Sequence, residues 1–126
     1  MDKIITEKAT HTLMGSNIIV TEPKPNVTWD AEDLYVIHKA HLQLTNNKPF
    51  GLILNATHFL LTTKEARELV ATNVFIEHHK ASAFVTTNFS NRLVGNIFIR
   101  INKPPVPTKI FKDVESAIKW LEKLKI

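Results

Sequence analysis

An α/β domain on a single mixed sheet, opening with a β-hairpin and continuing with alternating helices and strands, is the fold this sequence predicts. Three observations carry it. β-branched residues crowd the first 22 positions, two almost wholly apolar runs lie at residues 50 to 54 and 81 to 86, and segments with apolar side chains at steps of three and four alternate with those runs. Short apolar runs of this kind mark strands, and the longer periodic segments mark helices. With 126 residues, 44% of them hydrophobic, the chain has the size of one domain spanning residues 1 to 126 around one core.

Residues 3 to 9 and 16 to 22 read as two antiparallel strands joined around Gly15 and Ser16, with Ile4, Ile5, Ile18, Ile19 and Val20 favouring extended backbone. Pro23 and Pro25 stop the second strand, because neither can donate to a ladder. Thr28, Asp30, Glu32 and Asp33 then precede a helix over roughly residues 30 to 45, where acids complement the helix dipole. Its buried stripe is Leu34, Ile37, His41 and Leu44. Asn46, Asn47, Lys48 and Pro49 break it, and residues 50 to 54 follow as a strand apolar enough to be covered on both faces, at the sheet centre.

Thr62 and Glu65 have capping-box spacing ahead of a second helix with Ala66, Leu69 and Val70 on its apolar face. Residues 81 to 86 form the next strand. Residues 88 to 101 read as a third helix, with Leu93, Val94, Ile97, Phe98 and Ile101 on one side and Arg92, Asn96 and Arg100 along the other. Pro104, Pro105 and Pro107 end it and lead to a short strand, Thr108–Phe111, which prolines confine to a position near a sheet edge. Asp113 caps the last helix, with Val114, Ala117, Trp120, Leu121 and Leu124 as its stripe. The order is β-β-α-β-α-β-α-β-α, which calls for parallel crossovers with helices packed on the sheet.

Composition excludes several chemistries. There is no cysteine, so disulfides, thiolate metal sites and thiol nucleophiles are absent. No signal-peptide run opens the sequence and no window approaches the length of a membrane span, so a cytoplasmic location is expected. The net charge of +4 is uneven: residues 92 to 126 carry eight Lys or Arg against three acids. Such a surplus attracts acidic partners, but no aromatic-interleaved basic tract accompanies it to point to nucleic acid.

Three blocks of residues carry a family likeness. These are NRLVGNIF at 91 to 98, KPPVPTKIF at 103 to 111 and AIKWL at 117 to 121. In them the chain resembles a bacterial family of STAS/CRAL-TRIO-like domains, related in fold to anti-sigma-factor antagonists, most closely over residues 50 to 126. The resemblance implies a non-enzymatic domain that binds other proteins, sometimes switched by phosphorylation, or in more distant relatives one that holds an apolar ligand. It implies a phosphoacceptor hydroxyl at the start of the helix after the central strand, where this chain has Thr62 and Thr63. Here the sequence departs from the switch motif: the paired serines and the following glycine are missing, and Asn55 stands where an acid is expected.

Residue by residue, the chemistry is sparse. His38 and His41 stand three apart with no acid between them, and the adjacent His78 and His79 diverge, so no zinc spacing appears. His41 is expected as a hydrogen-bonded imidazole on the helix stripe, while His58 sits where loops line crevices in α/β sheets. With three glycines and no serine elbow, hydrolases, kinases and dehydrogenases lack their minimum parts, and no cofactor is expected. The most distinctive polar feature is the stripe Arg92, Asn96 and Arg100, continued by Lys103; with Phe98 and the surplus apolar Ile99 it forms a candidate interaction surface. The expected partner is another protein or a second copy of the chain in a homodimer. The alternative is an apolar or lipid-like ligand, with peripheral membrane contact ranked below self-association. Pro104, Pro105, Val106 and Pro107 also spell a PxxP pattern, read as a turn within the fold.

Overall fold

The computed structural model describes residues 2–56, 61–87 and 104–126. The third helix expected over residues 88 to 101, the candidate surface of Arg92, Asn96, Phe98, Ile99, Arg100 and Lys103, and His58 all lie outside the described residues. The strands are β1 (Lys3–Ile5), β2 (Ala9–Met14), β3 (Ile18–Pro23), β4 (Thr28–Trp29), β5 (Phe50–Asn55), β6 (Leu61–Thr62), β7 (His79–Val85) and β8 (Thr108–Phe111). The helices are α1 (Ala31–Thr45), α2 (Lys64–Leu69), α3 (Asn73–Ile76) and, last in the chain, α4 (Val114–Lys123).

Six strands form a mixed sheet in the order β1-β2-β3-β5-β7-β8. β1, β2 and β3 run antiparallel, and β3, β5, β7 and β8 run parallel. The apolar runs β5 and β7 are therefore neighbours at the sheet interior, and β8 is an edge, as expected. Antiparallel neighbours need only a tight turn, whereas each parallel step needs a crossover; α1 supplies the one from β3 to β5.

The N-terminal hairpin is a correction. Three strands stand where two were expected, because Glu7 and Lys8 turn the chain: the Thr6 amide and hydroxyl both bond the Ala9 carbonyl, at 2.9 and 3.2 Å. A second turn at Gly15, with φ at 68°, places Met14 opposite Ile18. The alternation of Ala9, His11 and Leu13 that marks β2 was hidden by the imidazole at its inward middle position.

α1 matches its expected bounds because both ends are marked chemically. Asp30 and Asp33 form a reciprocal capping box, each carboxylate accepting the other's backbone amide at 2.9 Å. Asn46 and Asn47 adopt the left-handed conformation that terminates it. The cap of α2 is a second correction: Thr63, not Thr62, is the N-cap, accepting the Ala66 amide at 3.2 Å. Thr62 is drawn into β6 by pairing with Trp29, which shifts the helix start by one residue and undoes the box with Glu65.

Alternation along the strands divides the core between two faces. Ile18, Val20, Ile53, Ala81, Ala83 and Val85 pack against Ala117 and Leu121 of α4. Gly51 lets α4 come this close, since a Cβ there would stand 2.9 Å from Leu121 Cδ2 and 3.1 Å from Ile126 Cδ1. Leu124, expected on the α4 stripe, is exposed at the helix end, and Ile118 packs in its place. The opposite face is covered by α1. There two apolar clusters form, one of Ala9, Trp29, Leu34, Ile37, Ala66 and Phe75, the other of Ile19, Leu44 and Phe50.

Candidate functional site

Between those two clusters lies a layer of imidazoles. β2 directs His11 inward, β3 presents Thr21 directly opposite it, and α1 lowers His38 and His41 onto the same face. His11, Thr21 and His41 are fully buried. Thr21 Oγ1 stands 2.9 Å from His11 Nδ1 and 2.8 Å from His41 Nε2, and the two imidazole nitrogens are 3.2 Å apart. His11 Nε2 reaches Thr6 Oγ1 at 3.0 Å.

One assignment of protons satisfies every member of this chain. The Thr6 hydroxyl donates to the Ala9 carbonyl, so His11 Nε2–H donates to Thr6 and His11 Nδ1 is an acceptor. The Thr21 hydroxyl donates to that nitrogen and accepts from His41 Nε2–H. Both rings are neutral in this arrangement. Burial holds His11 down to about 4 and pushes His41 well below the ordinary imidazole value, the latter with help from His11, His79 and His38.

Phe50, at the start of β5, ties the other rings in. Its ring centre lies 5.4 Å from His41, 5.5 Å from His79 and 6.3 Å from His38. His79 stacks on it within 13° of parallel and meets Ser82 Oγ at 2.6 Å; burial, then His38, lowers it to about 4. His38 lies 4.5 Å from Phe75 and is hydrogen-bonded to the Val74 backbone, leaving its Nε2 buried without a partner among the described residues. Burial, and then His78, lowers its affinity for a proton too. Within the described residues no group of three His, Asp or Glu side chains is placed to hold a metal ion. Sequence reasoning placed His41 on the buried stripe but missed its partners. The available signal was the period-2 position of His11 in ATHTLM.

Outside this face, the expected phosphoacceptors are separated in role. Thr63 Oγ1 is engaged as the α2 cap, while Thr62 Oγ1 accepts from Arg67 Nη1 at 3.3 Å. Large apolar side chains are exposed on the elements from α1 to α3: Tyr35 and Val36 on α1, Leu61 beside Thr62, Val70 at the end of α2 and Val74 on α3. A separate open cleft of about 520 Å³ is lined by Asn73, Ile76, Glu77, Lys80, Pro105, Val106 and Pro107.

Residues 12–125 match a family described as a domain of unknown function, DUF7793. The chain belongs to that family. No curated protein matches it. Among solved structures, the fold is similar to an uncharacterised protein of the DUF3478 family with a SpoIIAA-like fold from Shewanella loihica PV-4. The TM-score is 0.62 over 90% of this chain and 91% of that one, at 13% identity. A likeness at that identity shows the fold alone, and it is the STAS-like part of the resemblance noted in the sequence that it supports. No helix among the described residues is long and apolar enough to cross a membrane.

Proposed function

We propose that this member of DUF7793 is a non-enzymatic, cytoplasmic regulatory module that docks another protein. The observation that carries this reading is the set of large exposed apolar side chains on α1, β6, α2 and α3, namely Tyr35, Leu61, Val70 and Val74, on a SpoIIAA-like fold. Exposed apolar side chains gathered beside a polar rim are favoured at contact surfaces. Thr62 adds a means of control. A phosphate on its hydroxyl would stand beside the Arg67 guanidinium, whose planar donors suit a phosphate oxygen pair, and would change the charge of the surface next to Leu61.

The test is chemical crosslinking with mass spectrometry on the protein enriched from its own cells, comparing the native chain with a Tyr35→Glu, Val74→Glu variant. One recurrent partner crosslinked near residues 61 to 74 and lost in the variant supports the reading. A partner retained at full level by a folded variant refutes this surface. Lipid retained in native mass spectra would replace the reading with the ligand-binding one.

A further inference from the structure

We propose that the imidazole layer is an acid-sensitive latch: taking up protons there frees α1 from the sheet while the sheet and α4 stay folded together. This stands independently of the docking reading. Its basis is geometric. His11 from β2, His38 and His41 from α1, His79 from β7 and His78 just before it converge between α1 and the sheet. Among the described residues, the titratable groups acting on His38, His41 and His79 are one another, His11 and His78, and no carboxylate contributes. The charged residues nearest along the same elements, Glu22 on β3, Lys39 on α1, Glu77 after α3 and Lys80 on β7, are exposed. Among the described residues, an imidazolium formed in the layer therefore has no counter-charge.

The His11–Thr21–His41 chain accepts one proton by reversing direction. His11 then donates from both nitrogens, the Thr21 hydroxyl turns to His41 Nε2, and His41 carries its proton on Nδ1. A second proton makes two cations with ring centres 4.9 Å apart, buried and unpaired. Movement of α1 would let water reach them, because His11 and Thr21 lie on inner strands of the sheet and His41 belongs to α1 itself. The other face has no part in this, since none of the buried polar side chains among the described residues belongs to its core.

A hinge is already in place. Lys8 Nζ holds Asp33 Oδ2 at 2.7 Å and the Thr28 carbonyl at 2.8 Å, tying the first turn of α1 to the start of β2. Burial acts to raise the Asp33 carboxyl, but the Lys8 hydrogen bond and the Asp30 backbone outweigh it, so the pair survives mild acid. The C-terminal half of α1, carrying His38 and His41, is the part that lifts.

Hydrogen exchange of the whole chain at several pH values from 7.5 to 5, corrected for intrinsic rates, tests the latch. A ring at about 4 when closed and 6.5 when open favours opening about 30-fold by pH 5 for each ring that titrates. Amides of residues 38 to 45 should lose protection by at least that factor while those of β7 and α4 keep theirs. Protection in α1 that persists to pH 5, or that vanishes together with β7 and α4, overturns the proposal. His38→Leu provides a second check at a position where one nitrogen is already unpartnered: it should lower the pH of opening, and an unmoved midpoint would show that the rings do not act as one layer.

Discussion

The two faces of the sheet use the same strands for opposite purposes. Under α4, Ile18, Val20, Ile53, Ala81, Ala83 and Val85 close on Ala117 and Leu121 without a polar side chain in the cluster. Under α1, two apolar clusters flank buried imidazoles whose hydrogen bonds run through Thr21. An apolar contact depends on area removed from water and is indifferent to pH, whereas a neutral buried imidazole is stable only while no proton is available to it. One face is therefore a fixed platform and the other a conditional one.

Acid should separate them most. His11 and His79 have folded values of about 4, below the ordinary 6.5, so the unfolded or opened chain binds more protons between those values. Their stabilisation is complete above pH 6.5 and is lost as pH falls towards 4, amounting to roughly 2 kcal/mol for each ring at pH 5. In a Trp120→Phe chain, fluorescence of the buried Trp29 should report this loss in urea titrations at pH 7.5 and 5. A second break targets the platform. Leu121→Ala should cost about 3 kcal/mol, equally at both pH values, in the same titrations. A pH-dependent cost there would mean that the two faces are coupled.

Thr21→Val sharpens the contrast at nearly constant volume. It leaves His11 Nδ1 and His41 Nε2 without their shared hydroxyl, at a cost of about 2 kcal/mol at neutral pH, measured by thermal unfolding. The smallest expected effect separates the two threonines outside: Thr63→Ala should cost about 1 kcal/mol by removing the α2 cap. Thr62→Ala should cost less, because its hydroxyl meets only the exposed Arg67 side chain. A larger loss at Thr62 than at Thr63 would return the cap to Thr62.

Much of the architecture was legible in the chain itself. α1 announced both ends, through Asp30 with Asp33 and through Asn46 with Asn47; β5 and β7 were apolar enough to require an inner place; and Asp113 marked the start of α4, accepting the Ser116 amide at 2.7 Å. These features are local, since a cap or a period is complete within one turn of helix or one strand. β2 was not legible, because His11 interrupts its alternation with a residue usually read as polar.

What tertiary structure alone decided is what the histidines do. Nothing in their spacing brings together His11, His41 and His79, which are separated by a strand pair, a helix and a crossover. Only the register of His11 on Thr21 and of Phe50 on His79 sets them against one another. A propensity acts between neighbours in the chain, whereas the proton affinity of a buried ring depends on how much water is excluded around it and which rings stand next to it, and both are properties of the packed fold.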